Sequence, residues 1–213
     1  KKNKLFQRLV LFIFFSCLLI IGSSIFHVYG VSLDEEETRR LGFMTLKYIY
    51  EVFYPLKVAT IDNIITIPKL SEFFSNDHGA ILDTLFAYIE ITFDIKKTKD
   101  IFFFRHYLCF IIFFISVYFF YLIGKFRFND WRIGILGSIF LVLSPRIFAE
   151  SFYNNKDIIF MSLFIISLYF CLKFIYKPSI KHAIFFSLTS ALAIDMRLMG
   201  IILPSLVLLF FLF

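Results

Sequence analysis

Long apolar runs separated by short polar turns are the feature that most constrains this chain. The first run extends from Leu9 to Tyr29, behind basic residues at positions 1, 2, 4 and 8. About 20 helical residues cross roughly 30 Å of hydrocarbon, so this run can form a membrane span. With 60% hydrophobic and 18% charged residues, the composition excludes a soluble globular domain and a disordered chain. We therefore predict an all-α polytopic membrane protein.

The pattern predicts six spans and one long connection. The spans cover residues 9–29, 101–124, 133–144, 158–175, 183–194 and 198–213, and the connection covers residues 30–100. The first span is interpreted as a retained anchor rather than a signal peptide, because its apolar stretch is long and no small-x-small cleavage site follows. Near the end, Asp195-Met196-Arg197 either separates two short helices, which we favour, or lies inside one long helix.

The basic residues predict how the spans are oriented. Lys and Arg number 22 against 16 Asp and Glu, a net charge of +6, and they cluster at the N-terminus and around residues 125–132 and 173–182. In a membrane chain such an excess orients the spans rather than binding nucleic acid, and it marks the cytoplasmic side. Residues 30–100 and 145–157 are then expected together on the outer side, with a bacterial inner membrane favoured.

The connection over residues 30–100 is expected to carry helices of its own. Ser32 and Glu35 have capping-box spacing and start a helix that runs to about Tyr50. After a turn signal at residues 76–79, apolar residues at positions 81, 85, 89 and 93 predict an amphipathic helix at the membrane interface. Because the chain starts at Lys1 and stops within an apolar run, we expect residues 1–213 to be the N-terminal part of one longer domain, inactive alone.

The acids directly after the first span are the first candidate for chemistry. Asp34 and Glu35 begin a run of four acids. Acids in a first helical turn are explained by capping and by the helix dipole without any function. Four of them exceed what a cap needs, however, and a carboxylate on the outer face is able to act as a general base.

The second outer connection is the other polar concentration. Between residues 144 and 157 it carries Arg146, Asn154, Lys156 and Asp157. Asn154 could cap the following span, with Asp157 in its first turn and the cations reaching lipid headgroups. So dense a cluster beside the Asp34 connection favours a shared polar cavity instead. Two more cations, Arg39 and Arg105, belong to the outer set, and Arg105 should pair with an acid or an anionic headgroup.

The order of these features resembles the GT-C membrane glycosyltransferases. Ser32-Leu33-Asp34-Glu35, Ser144-Pro145-Arg146 and Asn154-Asn155-Lys156-Asp157 carry the likeness. Within that superfamily the chain is most similar to the family 39 protein O-mannosyltransferases and the lipid A aminoarabinose transferases. The resemblance covers nearly the whole chain and implies a GT-C-like helix bundle.

The resemblance also implies roles for individual residues. Asp34 corresponds to the catalytic base, with Glu35 beside it. Asp157 corresponds to an acid linked to acceptor or metal contacts, and Arg197 to a cation in a polar turn between two later helices. We leave a divalent cation, Mg²⁺ or Mn²⁺ on Asp34 and Asp157, as an open possibility, because the neighbouring cations are able to do the same work.

The implied reaction moves a sugar from a polyprenyl-phosphate donor in the bilayer to an extracytoplasmic acceptor by an inverting displacement. Asp34 would take the acceptor's proton, and cations would hold the phosphate as it gains charge. The substrate-binding candidates are Arg39, Arg105, Arg146, Asn154, Lys156, Asp157 and Arg197. Two alternatives stay open: a transporter whose intramembrane charges line a pathway, and a non-catalytic assembly subunit whose acids are only caps.

Overall fold

The prediction of an all-α polytopic membrane protein is confirmed. The computed structural model describes residues 2–55, 67–72 and 79–212. Within those ranges it contains helices and no strand. The α-helices are α1 (Lys2–Ile25), α2 (Leu33–Phe53), α3 (Ile81–Thr92), α4 (Thr98–Phe128), α5 (Trp131–Leu143), α6 (Pro145–Tyr153), α7 (Asp157–Tyr176), α8 (Ile180–Met196) and α9 (Ile202–Leu212), with 3₁₀ turns at Leu70–Glu72 and Leu198–Ile201.

Three of the described helices are long and apolar enough to cross a membrane. They are Lys4–Ile25 in α1, and the whole of α4 and α7. Helices α5 and α6 are bent by 70° and would make a fourth, broken span if counted together. Pro145 at the start of α6 explains the break, because proline lacks an N–H and disfavours helix in the residue before it.

Several predicted boundaries differ from the observed ones. The first helix ends at Ile25 rather than near residue 29, and a short turn follows it. Near the end, α8 stops at Met196, Arg197 is extended, and a 3₁₀ turn leads into α9. The chain therefore breaks at Arg197 instead of continuing as one helix. Of the turn predicted at residues 76–79, the first three residues lie outside the described ranges.

A stack of aromatic rings forms the centre of the core. Phe152 of α6 is stacked between Tyr29 and Phe110 of α4, with ring centroids 4.6 Å and 5.2 Å away. Both Phe110 and Phe152 are fully buried. The stack fixes the end of α1 and the bent helix α6 against α4, and so positions the connections that follow them.

The α4–α5 pair packs backbone against backbone. A Cβ added at Gly134 would lie 2.6 Å from the Tyr121 carbonyl oxygen, so only glycine permits this approach. Nearby, the Ser138 hydroxyl donates to the Val117 carbonyl across the two helices, at 3.3 Å. Small residues and interhelical hydrogen bonds of this kind are typical of helix association in membranes.

The basic clusters gather at one end of the helices. Phe6 near the start of α1 meets Trp131 with ring centroids 6.1 Å apart, and Phe126 meets Tyr176 at 5.2 Å. These contacts join the N-terminus, the α4–α5 turn and the end of α7. The starts of α4 and α7 and the end of α8 lie at the opposite end, which we call the cavity end.

Candidate functional site

A cavity of about 610 Å³ lies at the cavity end. Its walls come from α2, the chain around the start of α3, the turn before α7, the end of α8 and the 3₁₀ turn after it. The lining residues are Thr38, Leu41, Gly79, Asp83, Lys156, Ile194, Asp195, Met196, Arg197, Leu198 and Met199. Segments that are far apart in sequence thus enclose one charged cavity, and its volume is typical of small-molecule sites.

The first turn of α2 separates the two candidate catalytic acids. Glu35 is buried: its Oε2 accepts from the Ser32 N–H at 2.7 Å, and its Oε1 lies 2.8 Å from Nε2 of the buried His106. The capping box expected from the sequence is therefore present. Both oxygens of Glu35 thus have partners within the protein, and the catalytic role that the resemblance implies for it stays a prediction.

Asp34 has a different environment. It is exposed, and within the described ranges no group donates a hydrogen bond to its side chain or forms an ion pair with it. Its carbonyl accepts from the hydroxyl of Thr38, one helical turn further on, at 3.0 Å. Since Thr38 lines the cavity, Asp34 lies one turn from the cavity wall.

A buried network of acids and arginines supports the cavity. Arg105 of α4 donates through Nε to Glu90 at 2.6 Å and through Nη1 to Asp83 at 3.1 Å. Arg39 of α2 donates to the other oxygen of Glu90 at 2.9 Å. The prediction that Arg105 pairs with an acid is confirmed. Neither Arg39 nor Arg105 is among the residues that line the cavity, and their ion pairs join α2, α3 and α4.

The turn before α7 divides its two asparagines between different tasks. Asn154 Oδ1 accepts from the Asp157 N–H at 2.8 Å, so Asn154 caps α7 and does not line the cavity. Asn155 is the residue that reaches inward: its Nδ2 donates to Thr38 at 2.6 Å and to Asp83 Oδ1 at 3.3 Å. The capping that the sequence offered as the alternative for Asn154 is observed, and substrate binding by Asn154 stays a prediction.

The remaining predicted cations differ in position. Lys156 and Arg197 both line the cavity, and Arg197 also forms an ion pair with Asp157. Arg146 is 87% exposed and bonds to Glu150 on its own helix at 2.8 Å, away from the cavity lining. A guanidinium has five N–H donors, so Arg197 can hold Asp157 and still offer donors to a ligand.

Two acids of the cavity wall, Asp83 and Asp195, were not among the predicted site residues. Asp195 accepts from the Ile81 N–H at 3.1 Å and so caps α3, whose N-cap residue Ala80 has no side-chain acceptor. Asp83 and Glu90 are seven residues apart, on the face of α3 opposite the exposed Ile81 and Leu85. That spacing was a usable signal, since two acids on one face of a helix beside a costly intramembrane arginine call for pairing.

Burial affects the ionisation of Asp83. Desolvation raises the pKa of this carboxyl from 3.8 to about 6, although the neighbouring Arg105, Lys156 and Asn155 act in the opposite direction. The group is still mostly ionised at neutral pH.

The described residues do not assemble a metal centre. No group of three or more His, Cys, Asp or Glu side chains converges anywhere in the described part of the chain. Asp157 is engaged by Arg197 and by Asn154, and the exposed Asp34 has no further acid ligand gathered around it. The donor set therefore does not fit the Mg²⁺ or Mn²⁺ site considered for Asp34 and Asp157, and we derive no step through a metal.

Fold and site together define a polytopic α-helical membrane protein with a charged cavity at one end of its helices. The model of the dolichyl-phosphate-mannose-protein mannosyltransferase family matches residues 86–213, more than half of the chain, and the chain belongs to this family. Membership makes it a membrane glycosyltransferase of the GT-C type. No curated protein and no solved structure matches it. The family match includes Lys156 and Arg197 and begins after Asp34 and Asp83.

Proposed function

We propose that the chain forms part of an enzyme that transfers a sugar from a polyprenyl-phosphate donor to an extracytoplasmic acceptor in this cavity. The acceptor is a protein hydroxyl or a lipid or glycan hydroxyl. The observation that carries the proposal is that two cations, Lys156 and Arg197, line the same cavity in a member of this family. They come from different connections, and the sequence between them forms α7 and α8.

The cations suit the charge that develops during the reaction. When the bond between the anomeric carbon and the phosphate oxygen breaks, the phosphodiester becomes a phosphomonoester and gains negative charge. Donors fixed in advance at that oxygen stabilise the transition state by several kcal/mol, on the order of the effect of oxyanion-hole groups. Apolar neighbours on the same wall, Leu198 and Met199, suit the first prenyl unit of the donor.

Asp34 is the general base in this proposal. It takes the proton of the acceptor hydroxyl while the acceptor oxygen attacks the anomeric carbon and the polyprenyl phosphate leaves from the opposite face. Its exposure and lack of a described partner support this role, since a base must be free to reach the acceptor. Glu35 and His106 hold the first turn of α2 in place.

The distribution of charge supports an outward-facing site. The basic clusters at the end opposite the cavity favour a cytoplasmic position for that end by the positive-inside rule. The cavity would then open outside the cytoplasm, and a bacterial inner membrane is the setting that we favour.

A transfer assay tests the proposal. Membranes that contain the full-length protein are incubated with radiolabelled dolichyl phosphate mannose, and label is followed into protein, glycan and lipid fractions. Lys156→Ala and Asp34→Asn should each lower transfer by about a hundredfold, within the range for a lost charge-stabilising donor or general base. Asparagine is tolerated at helix N-termini, so Asp34→Asn should fold normally.

Matched controls are available on the same surface. Glu37→Gln changes an exposed acid in the same acidic run, and Lys96→Ala changes an exposed lysine paired with Asp94. Both should retain normal transfer. Full activity of Asp34→Asn would end the case for this base, and full activity of Lys156→Ala would end the case for the phosphate site.

A further inference from the structure

We propose that Asp83 binds hydroxyl groups of the donor sugar and so helps to select which sugar is transferred. The inference rests on the proposed function, because it assigns the sugar-binding part of the same cavity. Asp83 lies outside the segment matched by the family model and outside the residues singled out from the sequence.

The first argument is the way in which this carboxylate is held. Asp83 is 4% exposed, and its Oδ1 accepts both from Arg105 at 3.1 Å and from Asn155 at 3.3 Å. Its Oδ2 accepts no hydrogen bond from the described residues, and the residue lines the cavity. One oxygen thus fixes the group, while the other is available to a ligand.

The second argument concerns the kind of ligand. A carboxylate repels phosphate and accepts hydrogen bonds from hydroxyl groups, which sugars present in quantity. Lys156 and Arg197 supply the cations of the cavity, so the donor's phosphate and its sugar would be bound by different residues. The hydroxyl of Thr38, held by Asn155, adds a second polar group beside Asp83.

The third argument is that packing alone does not explain this acid. Arg105 and Arg39 already give the buried Glu90 two cationic partners, so α3 is attached to α2 and α4 without Asp83. Burying a further carboxylate is costly, since desolvation raises its pKa to about 6. The other acid of the wall, Asp195, already accepts from the α3 backbone.

Binding measurements separate the sugar from the phosphate. The full-length protein in detergent is titrated with dolichyl phosphate alone and with dolichyl phosphate that carries mannose, glucose, galactose or 4-aminoarabinose. The wild type should bind one sugar-bearing lipid more tightly than the bare lipid. Asp83→Asn should lower the affinity for that sugar-bearing lipid about ten- to a hundredfold, the range for hydrogen bonds to a charged group. The affinity for the bare lipid should not change.

Two further variants keep the test decisive. Asp100→Asn changes an exposed acid in the first turn of α4 and should bind every lipid as the wild type does. Asn155→Ala removes one of the two donors to Asp83. It should lower the affinity for the preferred sugar-bearing lipid by a few fold and leave the affinity for the bare lipid unchanged.

The outcomes distinguish this inference from the proposed function. A wild type that binds none of the lipid phosphates, or a Lys156→Ala variant that binds them all normally, refutes the proposed phosphate site. A wild type that binds the bare lipid as tightly as every sugar-bearing one refutes the role of Asp83. The role of Asp83 is also refuted if Asp83→Asn and Asn155→Ala lower the affinity for bare and sugar-bearing lipids equally. Asp83 would then act only through the fold.

Discussion

Arg105→Ala tests the buried network on which the cavity is built. Arg105 is 2% exposed and donates to two carboxylates, Glu90 at 2.6 Å and Asp83 at 3.1 Å. Hydrogen bonds to charged groups contribute about 1.5–3 kcal/mol each. After the substitution Glu90 still pairs with Arg39, and Asp83 still accepts from Asn155. The free energy of unfolding should therefore fall by about 3–5 kcal/mol, the cost of one broken buried ion pair, and not by more.

The assay is reversible unfolding in mixed micelles of mild detergent and SDS, followed by circular dichroism. Arg40→Ala is the matched control, because Arg40 pairs with Glu36 on the surface of α2 and both side chains are 61% exposed. That change should cost less than about 0.5 kcal/mol. Arg105→Lys keeps the charge but loses the forked geometry and should fall between the two. Equal losses for Arg105→Ala and Arg40→Ala would refute the network as a source of stability.

Three other changes test the packing and the electrostatics. Gly134→Ala puts a Cβ within 2.6 Å of the α4 backbone and should lower the unfolding free energy by about 1–3 kcal/mol in the same assay, whereas Gly30→Ala, which meets nothing within 4 Å, should not. Phe152→Ala removes the central ring of the stack and should cost about 3–5 kcal/mol, with a smaller loss contradicting its place in the core. Because the folded protein raises the pKa of Asp83 from 3.8 to about 6, its contribution to stability is fully present below about pH 4 and is lost as the pH rises through about 6. The free energy of unfolding of Asp83→Asn should therefore rise relative to that of the wild type by up to about 3 kcal/mol between about pH 4 and pH 7. A difference between the two proteins that stays constant across that range would contradict the raised pKa.

Much of the helical framework could be predicted from the sequence because the membrane sets its length scale. The runs that became α1, α4 and α7 are continuous and apolar, and in lipid a backbone without water must satisfy its hydrogen bonds internally. The helix ends were less predictable. The ring stack around Phe152 and the turn after Ile25 depend on contacts between segments that are distant in sequence.

The residues that line the cavity could be anticipated from the sequence only in part. Lys156 and Arg197 were expected together and both line the cavity. Asn154 and Glu35 were expected to act on substrate, and each also accepts a backbone N–H at a helix N-terminus, as the capping interpretation predicted.

Asp83 was missed for a physical reason. Its partners Arg105 and Asn155 lie 22 and 72 residues away in sequence, so its burial becomes visible only when α3 packs against α2 and α4. The amphipathic pattern of α3 drew attention to its apolar stripe at positions 81, 85 and 89, which is largely exposed on the outside of the molecule. Of the two acids on the opposite face, Asp83 lines the cavity, and Glu90 pairs with Arg39 and Arg105.

Photo-crosslinking of the donor is the most direct test of where the chemistry takes place. A diazirine-bearing analogue of dolichyl phosphate mannose is irradiated with the full-length protein, and labelled peptides are mapped by mass spectrometry with unlabelled donor as competitor. Our account predicts competed labels at the residues that line the cavity: Thr38, Leu41, Gly79, Asp83, Lys156 and residues 194–199. Competed labels confined to residues 125–132 and 176–182, at the basic end, would contradict it.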